Sequence, residues 1–294
     1  MSYRKIESIF KNDYAHWVGN GFRVKQYFPG SQGKDFLERF SPFILLDYNE
    51  PYLFKASPFE AGVGAHPHRG FETVTFAFEG KVEHGDNKGH TGVIEPGDIQ
   101  WMTAAKGILH KEFHEKEFAK KDRVLHMIQL WVNLPSKYKM SEPKYQTIKA
   151  NQMGKYQSED KQFELIIYAG EVFGVKGPAS TFSPMNIYKV NIQKGKTITL
   201  EEPVDFNTGM LILSGRINVN GETKAQCSDF VLFENDGNPF TITGIEENSE
   251  IFVLSGKPLN EPVVTMGPFV MNTKEEIIQA NLDFMNGEFG DLNF

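Results

Sequence analysis

The chain has 294 residues, of which 40% are hydrophobic, so it is long enough for one large or two medium domains with a sizeable core. Its net charge is −7, with no block of basic residues, which argues against direct binding of nucleic acid or of an anionic membrane. A single cysteine excludes an intramolecular disulfide. Neither a signal-peptide core nor an apolar run of about 20 residues occurs, so we expect a soluble, cytoplasmic protein.

Glycine-bounded runs that are rich in β-branched and aromatic residues recur along the chain, and such runs predict strands. Clusters of Asp, Asn and Gly, as in HGDNKGH and NVNGE, are typical of hairpin turns. Several short strands at regular spacing indicate an all-β sandwich or barrel. In chain order, the predicted strands span residues 71–80, 91–102, 125–134, 186–192, 208–221, 228–235 and 250–256.

The strand pattern repeats once. Gly80 in FAFEGKVEHGD matches Gly215 in LILSGRINVNG, and Asp98 in PGDIQWM matches Asp229 in CSDFVLF. The two offsets, 135 and 131 residues, are close enough for two copies of one β-domain.

The weakly patterned segment NLPSKYKMSEPKYQ, residues 133–146, is the best linker candidate between the two copies. We therefore expect an N-terminal domain at residues 1–136 and a C-terminal domain at residues 137–294.

The end of the chain carries the clearest helix signal. Thr273 is a candidate N-cap, and Glu276 three residues later completes a capping box. The helix should cover a sheet with the apolar face that is formed by Ile277, Ile278 and Leu282.

Two short motifs, AHPHRGFE and GILHKEFHE, carry the candidate metal site. Residues i and i+2 of a strand point to the same face, so His66 and His68 should aim at one point, and His110 and Glu112 should do the same from a second strand. Three imidazoles and one carboxylate suit Fe, Mn, Co, Ni, Cu or Zn. Four ligands around a six-coordinate ion leave two positions for water, oxygen or substrate.

Three other residues near these motifs bear on where the site lies and on which side chains serve as ligands. Pro67 lacks an N–H and therefore fits an edge strand, a barrel rim or a bulge. Glu72 is a rival carboxylate ligand, since it follows His68 by four residues and strand periodicity would put it on the same face. His114 follows His110 by four residues and could join it only on a helix, whereas the segment is predicted to be a strand.

The histidines are distributed unevenly. All eight lie within the first 126 residues, so the second copy of the repeat cannot rebuild the site, and we expect one metal per chain in the N-terminal domain. In the second copy the ligand positions fall near Glu201, Pro203, Thr241 and Thr243.

The remaining candidates have structural interpretations. His84 and His90 flank a turn and should be solvated, whereas His16 and His126 should be structural. Cys227, which has no histidine nearby, should be a buried structural thiol.

At these residues the chain resembles the pirins of the cupin superfamily, and the similarity covers about residues 40–290. It implies an all-β bicupin: two tandem cupin barrels (double-stranded β-helix, or jelly-roll) with a short C-terminal helix, the first barrel metal-bearing and the second vestigial. The segments that carry it are AHPHRGFETVTF, DIQWMTAAKGILHKE, MIQLWVNLP, AGEVFGVKGPA and GPFVMNTKEEI.

The resemblance also implies a ligand set and a metal. The metal is Fe(II), one ion per chain, although other divalent transition metals suit these ligands. Since the family draws its carboxylate from the HxE motif, the case for Glu72 weakens. GILHKEFHE departs from the usual pattern after the Glu, so Phe113 and His114 should alter the pocket rim. The implied metal ligands are His66, His68, His110 and Glu112.

Two functions follow from the resemblance. Some bacterial pirins are similar to quercetin 2,3-dioxygenases, oxidoreductases that open the flavonol ring with O₂ and release carbon monoxide. Here Glu112 would be the catalytic base that takes the 3-hydroxyl proton, and Met102 and Phe78 would line a pocket for a small aromatic substrate such as a flavonol. We favour this enzyme over the alternative, a non-enzymatic, iron-dependent redox sensor that binds a transcription factor or a metabolic enzyme.

Overall fold

A computed structural model describes residues 2–33, 35–237 and 239–291. The chain forms two compact units. The N-terminal unit consists of Asp13–Glu38, Pro42–Ala150 and Asn260–Phe294, and the C-terminal unit consists of Met1–Asn12, Arg39–Ser41 and Asn151–Leu259.

Strands dominate both units, as the spacing of the apolar runs predicts. The first twelve are β1 Ile6–Lys11, β2 His16–Val18, β3 Phe22–Phe28, β4 Phe43–Phe54, β5 Gly62–His68, β6 Phe71–Glu79, β7 Val82–Asp86, β8 Thr91–Ile94, β9 Ile99–Thr103, β10 Ile108–His114, β11 Arg123–Asn133 and β12 Lys144–Ile148.

The remaining strands are β13 Gly154–Gln157, β14 Phe163–Ala169, β15 Glu171–Val172, β16 Val175–Lys176, β17 Met185–Ile192, β18 Thr197–Leu200, β19 Asn207–Ser214, β20 Arg216–Val219, β21 Thr223–Gln226, β22 Asp229–Phe233, β23 Phe240–Gly244, β24 Ser249–Gly256, β25 Val264–Met266 and β26 Phe269–Met271. The helices are α1 Asp35–Arg39, α2 Lys116–Ala119 and α3 Lys274–Met285, with 3₁₀ turns at Gly30–Gln32, Ser136–Tyr138 and Ala150–Gln152.

Each unit pairs a seven-stranded sheet with a four-stranded one. In the N-terminal unit the strand orders are β12-β9-β6-β11-β4-β3-β2 and β5-β10-β7-β8. In the C-terminal unit they are β1-β22-β19-β24-β17-β14-β13 and β18-β23-β20-β21. The orders correspond strand for strand, which confirms the predicted all-β fold of two cupin barrels.

The internal repeat is visible at one tight turn in each unit. Gly80 joins β6 to β7 with φ of 96°, and Gly215 joins β19 to β20 with φ of 75°. Glycine adopts such positive φ values without steric cost, which explains why the same residue stands at both turns.

The units do not follow the predicted division after residue 136. β1 pairs with β22 in the C-terminal unit, as in Ile9↔Val231, whereas α3 packs with the hairpin β25–β26 in the N-terminal unit. Of the points at which the chain passes from one unit to the other, the one nearest the predicted linker lies between Ala150 and Asn151, beyond that linker. Lys139, which is inside the predicted linker, is buried. The start of the chain therefore belongs to the C-terminal unit and its end to the N-terminal unit, the reverse of the prediction. Strand pairing rather than sequence order decides to which unit a segment belongs.

The interiors of the two barrels differ in chemistry. In the C-terminal unit, β18 and β23, the strands that correspond to β5 and β10, carry apolar side chains. Ile198 pairs with Ile242, Leu200 pairs with Phe240, and all four are buried in one cluster. The N-terminal unit has a smaller apolar cluster, which includes Val24, Ala77 and Met127, and leaves room for polar side chains.

Helix α3 begins with the predicted capping box, since the Thr273 side chain accepts from the Glu276 N–H and the Glu276 side chain accepts from the Thr273 N–H. The predicted apolar face is wrong in part. Ile277 is buried, but Ile278 and Leu282 are 57% and 41% exposed, because the helix turns Ala280 and Asp283 inward instead. Among the described helices none is both long and apolar enough to cross a membrane.

Candidate metal centre

The candidate ligands lie on two paired strands of the four-stranded sheet. β5 and β10 run antiparallel with His110 opposite His66, so that these side chains share one face. Pro67 lies on β5, the edge strand, and a register shift follows between His110 and Glu112. This confirms the expectation of an edge or a bulge, because proline cannot donate to a central ladder.

Three imidazoles converge there. Ligand-type atoms of His66, His68 and His110 all lie within 4.8 Å of one another, close enough to hold one metal ion. The ring centroids are 4.2 Å apart for His66 and His110, and 4.9 Å apart for His68 and His110. The paired strands thus present the three side chains as one cluster.

The nitrogen atoms are suited to a metal. His66 Nδ1 donates to the Gly64 carbonyl at 2.8 Å, which leaves Nε2 with a lone pair. His68 Nδ1 and His110 Nε2 are buried without a hydrogen-bond partner among the described residues. Burial lowers the pKa of all three imidazoles, well below the ordinary value for His68 and His110. They are therefore neutral, which is the form that coordinates metals.

Glu112 lies beside this cluster, but its carboxylate is not among the ligand-type atoms that lie within 4.8 Å of one another. The residue is 6% exposed, and the described part of the chain gives its carboxylate only long hydrogen bonds, from Thr75 Oγ1 and from Gln129 Nε2, both at 3.4 Å. The Thr75 hydroxyl has a shorter acceptor in Gln129 Oε1, at 2.8 Å. Burial raises the pKa of Glu112 to about 7, since no cation among the described residues compensates its charge. Such a carboxylate would be stabilised by a bound cation.

The rival carboxylate, Glu72, is directed away from the histidines. Gly70, with φ of 88°, turns the chain between β5 and β6, so the alternation of faces does not continue from His68 to Glu72. The Glu72 carboxylate instead accepts from Thr103 Oγ1 at 2.7 Å, and burial raises its pKa to about 7. Glu72 does not line the cavity beside the histidines.

A cavity of about 260 Å³ opens beside the imidazoles, just below the usual range of about 300–1,000 Å³ for small-molecule sites. Met102 and Phe78 were expected to line it and do not. Met102 accepts a hydrogen bond from Tyr145, and Phe78 packs against His126. The cavity is lined by Val18, Phe22, Val24, Asp47, Asn49, Val63, His66, His68, Glu112, Met127, Gln129 and Trp131.

Comparison with known protein families identifies the family to which this chain belongs. Residues 21–132 match the Pirin family, and residues 187–290 match the Pirin C-terminal cupin domain. The chain belongs to the pirin family.

Individual pirin relatives agree over nearly the whole chain. Human Pirin is 36% identical, over 92% of this chain and 89% of its own length. A crystal structure titled quercetin 2,3-dioxygenase from Acinetobacter baumannii is 42% identical, covers 99% of this chain and 100% of that one, and superposes with a TM-score of 0.94. The Escherichia coli pirin YhhW, solved in complex with nickel(II), shares the fold at 21% identity, with a TM-score of 0.63 over 85% of this chain and all of its own.

Two predictions about residues outside the proposed ligand set are wrong. His84 is buried rather than solvated, because β7 pairs with β10 so that His84 lies opposite Glu112 on the inward face. Its ring stacks on Tyr145 with centroids 5.9 Å apart. Cys227 is exposed rather than buried, although its Sγ lies 3.2 Å from the Leu213 carbonyl oxygen.

The other histidines agree better with expectation. His90 is 56% exposed at its side chain and bonds to Asp86 at 2.8 Å. His114 is on a strand, as expected, with Nε2 donating to the Gly21 carbonyl and Nδ1 accepting from Arg123. His126 is buried and bonds to the Tyr48 hydroxyl at 3.0 Å, which confirms its structural role.

The sequence motifs did not identify four polar residues that lie near the candidate metal centre: Thr75, Gln129, Asp47 and Asn49. The last two had a detectable signal, because they stand two residues apart in the otherwise apolar start of β4, FILLDYN, and therefore share a face. Thr75 and Gln129 had none, since they pair with each other on the seven-stranded sheet and contact Glu112 of the four-stranded sheet only in the folded barrel.

The turn that follows His68 is held by buried charges. Arg69 donates from Nη1 to Asp283 of α3 at 2.5 Å and from Nε to the Lys106 carbonyl at 2.6 Å. The Lys139 ammonium donates to the Gly70 carbonyl at 2.7 Å and to Val270 O at 2.9 Å. These bonds restrict the turn and thereby the direction of the histidine.

Proposed function

We propose that this chain is a mononuclear metal protein of the pirin type and a quercetin 2,3-dioxygenase-like oxidoreductase that uses O₂. The observation that carries this proposal is the cluster of neutral, buried imidazoles beside an under-bonded carboxylate, opening into a cavity lined by aliphatic and aromatic side chains. The 42% identical structure from Acinetobacter baumannii, titled as such a dioxygenase, supports the choice of activity.

The proposed ligands are His66, His68, His110 and Glu112, with one ion per chain. The donor set fits a divalent transition metal, because His68 Nδ1 and His110 Nε2 are buried without a hydrogen-bond partner among the described residues and Glu112 gains a counter-charge. We propose Fe(II). The nickel in the Escherichia coli pirin agrees with a site that also accepts other divalent ions.

A metal bound there supplies Lewis-acid polarisation of a substrate oxygen and one-electron chemistry for O₂. Glu112 lines the cavity beside the imidazoles, and we propose that it accepts the substrate 3-hydroxyl proton as the general base. Gln129 donates to the Glu112 carboxylate and so orients it. The Gly64 carbonyl fixes the His66 ring, whereas Phe71 and Trp131 pack edge-on against the His68 ring.

The apolar lining has a separate task. Trp131 packs on Phe71 and lies 5.2 Å from the His68 ring, so it offers an aromatic face next to the ligands. Val24 and Val63 add aliphatic surface to the cavity lining. A flat aromatic substrate such as a flavonol would be held by these surfaces.

The test is anaerobic reconstitution with Fe(II), followed by quercetin and O₂, with flavonol absorbance and carbon monoxide recorded together. We expect absorbance loss with CO release, and loss of both in His68→Ala. His90→Ala, which removes an exposed imidazole, is the matched control and should retain activity.

An iron-loaded protein that leaves quercetin unchanged would contradict the dioxygenase and favour the alternative, an iron-dependent redox sensor with a protein partner. The same preparation then serves as bait in its Fe(II) and Fe(III) forms. Our proposal includes a cytoplasmic location, which the single cysteine supports because a reducing compartment suits a chain without disulfides.

A further inference from the structure

The cavity beside the histidines has a second polar wall, on β4. Asp47 and Asn49 are two residues apart on this strand, and both line the cavity. Asp47 stands directly opposite Gln129 on β11, and Gln129 contacts Glu112. Polar groups thus extend from the candidate ligands across the large sheet, while the rest of the lining is mostly apolar.

Asn49 has an acceptor without a donor. Its Nδ2 donates to the Arg23 carbonyl at 3.2 Å, and since that carbonyl can only accept, the orientation of the amide is fixed. Asn49 Oδ1 is then buried and has no partner among the described residues. Native structures seldom leave such an oxygen unsatisfied, and a hydrogen-bond donor of a ligand in the cavity would satisfy it.

Asp47 also has unused capacity to accept hydrogen bonds. Its side chain accepts one hydrogen bond, from Gln26 Nε2 to Oδ1 at 3.1 Å, and the described residues give it no salt bridge. The residue is only 8% exposed, and burial raises its pKa to about 6. A carboxylate can accept several hydrogen bonds, so Oδ2 remains available.

The chemistry of the occupant follows from these neighbours. Two buried acceptors call for hydrogen-bond donors, and the valines, Phe22 and Trp131 call for an apolar, flat body. An ammonium ligand is disfavoured because it would share the cavity with a divalent cation. Phenolic hydroxyl groups combine an uncharged donor with an aromatic ring.

We propose that Asp47 and Asn49 form an acceptor pair that binds hydroxyl groups of the ligand and selects polyhydroxylated aromatic compounds over those that offer only a metal-binding oxygen. The proposal rests on the proposed function in one respect, that the cavity is the substrate site. It assigns a specificity role to two residues outside the metal motifs.

The test compares two flavonols on protein loaded with redox-inert Zn(II), by calorimetry without O₂. Quercetin carries five hydroxyl groups, whereas 3-hydroxyflavone carries only the one that a metal would bind. We expect the wild type to bind quercetin at least about tenfold more tightly, and Asp47→Asn or Asn49→Ala to lose most of this preference. The affinity for 3-hydroxyflavone should stay unchanged and reports that each variant is folded.

Glu50→Gln is the matched control, since Glu50 lies on the same strand, pairs with Lys25 at 2.7 Å and does not line the cavity. It should keep the wild-type preference. Catechol and phenol, titrated in the same way, separate the acceptor pair from the flavonol reaction, because they differ by one hydroxyl and contain no flavonol oxygen.

Each outcome decides something. An equal preference in wild type and Asp47→Asn overturns the acceptor pair and leaves the dioxygenase standing. Binding of catechol over phenol, lost in Asp47→Asn, with neither flavonol bound, supports the acceptor pair and overturns the flavonol reaction. Failure of all four probes to bind overturns both.

Discussion

At the scale of single residues, two buried glutamates show how neighbours set function. Glu72 and Glu112 both have a pKa raised to about 7 by burial. Glu72 accepts a short hydrogen bond from Thr103, whereas Glu112 accepts only bonds of 3.4 Å and lines the cavity with the imidazoles. The Glu72 carboxylate is held by the neighbouring strand of its own sheet, whereas the weakly bonded Glu112 carboxylate could be coordinated by a cation.

Glu72 should make stability depend on pH. Its folded pKa of about 7 lies above the ordinary 4.5, so the folded state binds more protons between these values and stability falls as pH rises through this window. Glu72→Gln should remove the penalty and stabilise the protein at pH 8 by roughly 2–3 kcal/mol. The gain should vanish near pH 4.

Urea unfolding at both pH values measures this difference. Glu79→Gln, at the exposed end of the same strand, is the control and should change little at either pH. A Glu72→Gln variant that is destabilised equally at pH 4 and pH 8 would show that the Thr103 hydrogen bond outweighs the cost of the buried charge.

At the scale of elements, the seven segments that sequence periodicity predicted as strands do form strands, but periodicity did not predict what lies across from them. The predicted strand 91–102 is two, β8 and β9, because Asp98 Oδ2 accepts from the Glu95 N–H and closes a turn between them. His84 is buried because of its pairing with β10, and Ile278 is exposed because α3 presents another face. The burial of His84 and the exposure of Ile278 depend on long-range contacts, which local patterns do not encode. The two motifs did bring three imidazoles together, because His66 and His68 lie within one strand that pairs with the strand of His110. Glu112 as a fourth ligand stays a prediction.

Helix α3 should influence the metal site through Arg69. Asp283 accepts from the Arg69 guanidinium, and both side chains are nearly buried. Asp283→Asn should loosen the turn after His68 and weaken metal affinity about tenfold, as loss of outer-shell partners usually does.

Competition with a metal indicator measures that affinity. Glu288→Gln, an exposed change just beyond the same helix, should leave it unaltered. Unchanged affinity in Asp283→Asn would mean that the Lys106 and Lys139 bonds hold the turn without the helix.

At the scale of the whole molecule, the two units share one strand order but differ in the side chains that fill their interiors. Histidines occupy β5 and β10 in the N-terminal unit, and isoleucine, leucine and phenylalanine occupy the corresponding strands β18 and β23 in the C-terminal unit. The repeat and the uneven distribution of histidines anticipated this contrast. The exchange of chain ends between the units was not predictable, because β1 and α3 contain no signal for the strands they join.

Phe240→Ala should separate stability from metal content. The side chain is fully buried in the apolar interior of the C-terminal unit, so its loss should cost about 3–5 kcal/mol of unfolding free energy. Metal stoichiometry should remain one per chain.

Urea unfolding and elemental analysis on the same samples check both parts. Val204→Ala, at a side chain that is mostly exposed, is the control and should cost little. Loss of metal in folded Phe240→Ala would show that the second barrel contributes to the site.

The most direct test of the metal centre is anomalous diffraction at the iron edge from crystals reconstituted with Fe(II) without oxygen. We predict one peak per chain, within about 2.0–2.3 Å of a nitrogen of His66, His68 and His110 and of an oxygen of Glu112. A peak bonded to the histidines with Glu112 still on Thr75 and Gln129 would remove the carboxylate from the ligand set. A peak elsewhere, or none, would contradict the metal centre itself.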